Sequence, residues 1–136
     1  LGHMRHGLEQ RLPAKREAVE ARLAGLAQLV EQAGRQLDDS YWIAENEEVI
    51  ARNLQQLHTT REAGEQLSIS CEFDEARGAT LVTVIAADHP GLFYRIAGGI
   101  ALAGANIIDA RIHTARSGWA VDNFLVQDPH GKPFRE

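Results

Sequence analysis

Cysteine occurs once in this chain, at Cys71, so no internal disulfide can form and a reducing, cytoplasmic setting is the expectation. No apolar run approaches the roughly 20 residues that a bilayer crossing needs, and no segment has the layout of a signal peptide. No membrane partner is therefore expected. Basic residues do not predominate: 14 Lys and Arg stand against 19 Asp and Glu, for a net charge of −5, which argues against nucleic acid as a partner. No serine, cysteine or carboxylate pair is set beside a positioned base, so no catalytic residue is assigned. The six histidines, His3, His6, His58, His89, His113 and His130, include no pair at ligand spacing on a helix, so no metal site is assigned either. What is present is ordinary globular composition over 136 residues, enough for one domain or a small domain with an extension.

Leu1-Gly2-His3-Met4 reads as a protease scar followed by a cloning-site methionine. From Leu8 to about Leu37 the chain is rich in Ala, Glu, Arg, Gln and Leu, all good helix formers. Val19, Leu23, Leu26, Val30, Ala33 and Leu37 alternate in steps of four and three, which places them on one stripe of a helix, either docking on a partner helix or belonging to a larger helical domain. Pro13 fits a first turn, or the break after a short leading segment. Asp38-Asp39-Ser40 and Asn46 supply caps for two further helix starts, the second with Glu47 and Glu48 at the positive end of the dipole. Ile50, Leu54 and Leu57 make an apolar side, and His58 to Gly64 reads as a linker.

The period then changes to two. Leu67, Ile69, Cys71 and Phe73 alternate with polar residues, predicting a strand with one buried face and Cys71 as a packed thiol. Asp74 to Gly78 is a hairpin loop, and Ala79 to Ala87, apolar on both faces, is a central strand. The segment Ala87-Asp88-His89-Pro90-Gly91-Leu92-Phe93 turns that strand into a helix. Pro90 holds His89 extended and prevents an earlier helix start, while Gly91 permits a tight turn and leaves its N–H uncovered. Uncovered N–H groups at the positive end of a helix suit a carboxylate; the plainer alternative is a strand-to-helix turn with Asp88 as its cap. Leu92, Ile96, Ile100 and Ala103 give the helix one apolar side. Gly98 and Gly99 cost about 1 kcal/mol each relative to alanine, which close approach to a sheet or partner would offset. Gly104 fits the C-terminal cap. Ile108, Ala110 and Ile112 alternate with Asp109, Arg111 and His113 in another half-buried strand. In the last, Trp119 to Gln127, Ala120, Asp122, Phe124 and Val126 share one face; the pattern leaves open which face is core.

Strand, Pro-Gly loop, helix, strand, turn, strand is the opening of a split β-α-β plan of the ferredoxin-like type. Asp88-His89-Pro90-Gly91-Leu92-Phe93, Gly104-Ala105-Asn106-Ile107 and Ala110-Arg111-Ile112-His113-Thr114 resemble the ACT domain, a small amino-acid-sensing module. Thr83 to Phe134 is more closely similar to the first ACT repeat of the enzymes that attach UMP to, and remove it from, the nitrogen-regulatory protein PII. Ser40-Tyr41-Trp42 and the following helix resemble the segment joining the hydrolase domain of those enzymes to their ACT repeats.

The resemblance implies an α+β fold: an N-terminal helical arm followed by a truncated ferredoxin-like β-α-β-β unit with an extra N-terminal hairpin strand. It implies residues 1–4 as tag remnant, 5–64 as helical linker segment and 65–136 as partial ACT regulatory domain. It implies an amino acid, glutamine, bound at a domain–domain interface by Asp88, His89, Gly91, Leu92, Phe93, Asn106, Ile107 and Ile108. No cofactor is expected within this chain; Mg and UTP would serve catalytic domains that it lacks. PII is the partner of the intact enzyme. A sheet without its fourth strand and second helix would expose an edge and a face, so a homo-oligomer is expected. Two other readings stay open: an ACT-type module of another metabolic enzyme answering to a different amino acid, and a pure dimerisation module.

Overall fold

The computed structural model describes residues 2–22, 27–87 and 91–134. They form α1 (Gly2–Arg22), α2 (Ala27–Gln36), α3 (Asp39–Ala44), α4 (Glu47–Glu62), β1 (Leu67–Asp74), β2 (Ala79–Ala86), α5 (Leu92–Leu102), β3 (Asn106–Thr114) and β4 (Ala120–Gln127). The chain divides into two compact units, one of Leu1–Gly64 with Ala115–Ser117 and one of Glu65–Thr114 with Gly118–Glu136.

In the helical unit, the caps read from sequence form. Asp38 accepts from the Tyr41 N–H at 3.3 Å, and Asn46 accepts from the Val49 N–H at 2.9 Å. Each satisfies one of the donors that a helix start leaves unpaired. The helix expected from Leu8 to Leu37 is described as α1 (Gly2–Arg22) and α2 (Ala27–Gln36), both packed against α4. Val19 and Leu37 of its apolar stripe are buried. Leu23 and Leu26 lie outside the described residues, as do the side chains of Val30 and Ala33. Pro13 lies inside α1, which starts at Gly2, rather than in a first turn. The linker expected from His58 is also corrected, since α4 runs on to Glu62. Leu57 and Thr60 continue its buried side, and the Thr60 hydroxyl donates to the Gln56 carbonyl at 2.7 Å.

Tyr41 and Trp42 anchor this unit, edge to face at 6.5 Å between ring centres. The Asn53 amide donates to the Tyr41 hydroxyl at 2.8 Å, and the Arg16 guanidinium lies 5.0 Å above the Trp42 ring. Gly34 leaves room for that ring.

In the strand unit the sheet order is β1-β2-β4-β3, every neighbouring pair antiparallel. β4 is thus inserted between the parallel strands β2 and β3 that α5 connects, the split β-α-β arrangement. The expected missing strand position is filled: β1 pairs with β2 along its whole length, from Leu67 opposite Ala86 to Asp74 opposite Ala79. β2 is buried on both faces, as expected of a central strand, and so is β4, for which the pattern left the core face open.

The edge strands depart from expectation. Leu67, Ile69, Cys71 and Phe73 are exposed, Ile69 at 58 %, so Cys71 is not a packed thiol; Ala110 and Ile112 of β3 are exposed too. The reason is width. One helix about 10 Å across covers about two strands spaced 4.8 Å apart, and α5 sits over the middle pair. There Ile96 and Ile100 pack with Val84, Ala105, Phe124 and Val126. A side chain at Gly98 or Gly99 would meet nothing within 4 Å, so no close approach within the described chain explains either glycine.

A Cβ placed on Gly34 would come within 3.0 Å of the buried Trp42 ring. Gly34→Val should therefore destabilise the helical unit by about 1–3 kcal/mol through overpacking, despite removing a helix glycine. Urea unfolding followed by tryptophan fluorescence will measure it.

Candidate functional site

Of the turn between β2 and α5, the last residue, Gly91, has the backbone the sequence demanded. Gly91 is the N-cap of α5, with φ at +81° in the left-handed region. Glycine has no side chain with which to cap, so Gly91 itself makes no side-chain bond to the α5 start. A Cβ at this position would meet nothing within 4 Å, so glycine is required by the backbone angle and not by crowding. Gly91 is exposed and Leu92 half-buried. Asp88 and His89 lie outside the described residues, as does the Phe93 side chain.

The other half of the expected site begins at Asn106, which is exposed. Gly104, with φ at +83°, and Ala103 close α5, and the Ala105 N–H donates to the Ile100 carbonyl at 3.2 Å. Ile107 pairs with Val126 and is half-buried against the core, while Ile108 sits in a bulge between Ile107 and Asp109 and is 49 % exposed. The register separates the two halves. Ala86, the last residue of β2, pairs with Ala120 at one end of β4, whereas Asn106 pairs with Gln127 at the other. The eight residues of β4 place these ends about 23 Å apart, at roughly 3.3 Å per residue. Within one unit, Gly91 and Leu92 do not share a site with Asn106, Ile107 and Ile108.

Two further features were not assigned from sequence. A groove of about 610 Å³ runs between β1 and α5, lined by Ile69, Phe73, Val82, Ile100 and Phe134. It is apolar and poorly suited to a charged small molecule. The second feature is Asp122. It is 2 % exposed, in β4 between Val84 of β2 and Ile112 of β3, and its Oδ1 has no hydrogen-bond partner. Burial pushes its carboxyl up to about 6, opposed by the backbone N–H and the charge of His113. An acid in the alternation Ala120, Asp122, Phe124, Val126 was the available signal, but it acquires meaning only once that face is known to be covered. On the opposite face the Thr83 hydroxyl donates to Asn123 Oδ1 at 2.8 Å, a buried polar pair. Among the described residues no group of three His, Cys, Asp or Glu is placed to hold a metal ion, and no helix is long and apolar enough to cross a membrane.

The raised Asp122 carboxyl has a signed consequence. Between the ordinary aspartate value near 3.8 and about 6, the unfolded chain has released this proton while the folded chain keeps it. The Asp122 contribution to stability should therefore fall as pH rises through that window and level off above it, by about 1.4 kcal/mol per pKa unit. The difference between wild-type and Asp122→Asn urea midpoints, measured from pH 4 to 7, should carry this slope; parallel curves would refute it.

Residues 80–133 match the family described as the ACT domain. The whole chain is 69 % identical over 136 residues to a bifunctional uridylyltransferase/uridylyl-removing enzyme of Erythrobacter litoralis, and 63 % identical over 136 residues to one of Novosphingobium aromaticivorans. Over 125 residues, 92 % of the chain, it is 42 % identical to one of Zymomonas mobilis. The chain spans only 15 % of the length of the first two and 14 % of the third. No solved structure matches it. The matched residues 80–133 run from β2 through α5 and β3 to the turn after β4, so the match to the ACT domain falls on the strand unit.

Proposed function

We propose that this chain is the amino-acid-sensing, regulatory part of an enzyme that attaches UMP to the protein PII and removes it, with free glutamine as the effector. The observation that carries the reading is the ACT domain at residues 80–133 within a chain similar along its full length to such enzymes. The glycine at the start of α5 supports it, because backbone N–H groups at the positive end of a helix are fitted to a ligand carboxylate. Asn106 and the backbone of Ile107 and Ile108 are fitted to an amide.

Since those two groups lie at opposite ends of one sheet, a ligand touching both must bridge two ACT units. The reading therefore includes self-association of this cytoplasmic protein through its strand units. Exposed Tyr94, Leu102, Ile108 and Ile112 on α5 and β3 supply apolar surface for it. Asp88, His89 and Phe93 complete the proposed ligand contacts at the Gly91 end. UTP and Mg would serve catalytic segments of the whole enzyme, where PII would also dock. Glutamine would act by binding two domain arrangements with different affinity.

Titration calorimetry of the protein with a panel of free amino acids tests this. Glutamine should give saturable heat, and sedimentation should show a larger species when it is present. Heat from a different amino acid would transfer the module to another effector, and association without any heat would leave a dimerisation module. Gly91→Ala should cost about 1–2 kcal/mol in stability, because alanine at φ near +81° is strained, and should weaken the glutamine heat.

A further inference from the structure

The second inference concerns the turn that joins β3 to β4 and rests, for the signal it carries, on the sensing reading above. Ala115–Ser117 belongs to the helical unit, although the strands on either side of it belong to the strand unit. Two backbone donors of this turn end on one residue. The Arg116 N–H donates to the Gln36 carbonyl at 2.8 Å, and the Ser117 N–H donates to the Gln36 side-chain Oε1 at 3.0 Å. Gln36 and Ser117 are 81 positions apart in the chain. Gln36 is the last residue of α2, so its carbonyl is one of those that a helix end leaves unmet. Ala115, next to the two donors, is buried.

The charges around the turn agree with this hold. Arg116 lines a cleft of about 510 Å³ with Arg16, Leu37, Asp38 and Asp39, beside the carbonyl end of α2, where the helix dipole favours a cation. On the strand side, register fixes where the turn stands. Thr114 pairs with Ala120, and Ala120 pairs with Ala86. The turn is therefore at the Ala86 end of the sheet, the end at which the chain leaves β2 for α5. A shift of β4 against β2 or β3 at that end reaches Ala115–Ser117 within a few residues. Folding of the turn alone does not call for Gln36. Arg116 and Ser117 are exposed, and water would satisfy both N–H groups. Using one glutamine for both ties the turn to a particular helix end.

We propose that Gln36 is a positioning residue that couples the strand unit to the helical unit. Its carbonyl and Oε1 hold the β3–β4 turn at the end of α2, and an effector bound to the strand unit acts on the helices by tightening or releasing that hold. The turn has two arrangements, held and released, and coupling requires only that the effector prefer one of them. The side-chain bond is the adjustable half, because the backbone bond survives replacement of the Gln36 side chain.

Amide hydrogen exchange on the full chain tests this. Wild type is compared with Gln36→Leu, which deletes the side-chain acceptor, and with Gln36→Glu, which keeps one and has Arg116 in the same cleft to balance its charge. Without effector, Gln36→Leu should speed exchange of the Ser117 amide about threefold to tenfold, the scale of one hydrogen bond, and Gln36→Glu should keep wild-type protection. With saturating glutamine, wild type should change its protection at residues 37–41 as well as in the strand unit. Gln36→Leu should give the wild-type glutamine heat yet show the change in the strand unit alone, while Gln36→Glu behaves as wild type. Unaltered Ser117 exchange in Gln36→Leu would overturn the hold. A change at residues 37–41 that persists in Gln36→Leu, or that is missing from wild type although glutamine heat is present, would overturn the coupling and leave the sensing reading intact. Equal loss in Gln36→Glu and Gln36→Leu would overturn it too, by tracing the effect to packing and not to the bond. If another amino acid gives the heat, it replaces glutamine. Absence of heat from every amino acid would remove the sensing reading and the coupling together, and the effector-free exchange would still decide the hold.

Discussion

The pairing of β2 with β4 is the constraint on which the strand unit depends. These strands are distant in sequence and lie side by side in space, buried on both faces. Because β4 enters between β2 and β3, the connection from β2 to β3 must cross over the sheet, and α5 is that crossover. The start of α5 is therefore held at the Ala86 end and the start of β3 at the Gln127 end. The separation of the two candidate contact groups follows from this topology and not from any local feature of either.

One helix over four strands leaves apolar surface uncovered on both flanks. On β1 this exposes Ile69 and Phe73 beside the apolar groove, and on β3 it exposes Ile108 and Ile112. Such surface on edge strands is a liability for an isolated module and an asset for one that works against a neighbour. The polar groups follow a different logic. Thr83 and Asn123 satisfy one another within the sheet, whereas Asp122, on the opposite face, is left with an unmade hydrogen bond.

Several features were legible in the sequence because they are local. The caps at Asp38 and Asn46, the positive-φ requirement at Gly91, the hairpin loop ending at Gly78 and the cap region at Gly104 all follow from the chemistry of a few consecutive residues. Period two in β1 and β3 was read correctly as strand, but the pattern says only that one face is apolar, not that anything covers it.

By itself the sequence determined the order and kind of most elements, the two-sided burial of β2 and the left-handed turn at Gly91. Those choices are made by side-chain period and by which residues tolerate which backbone angles, and both act over a few residues. Only the tertiary structure decided which face of β4 lies under α5 and how far Gly91 stands from Asn106. Each depends on pairings between segments distant in the chain, where register moves side chains from one face to the other and no local pattern records the partner.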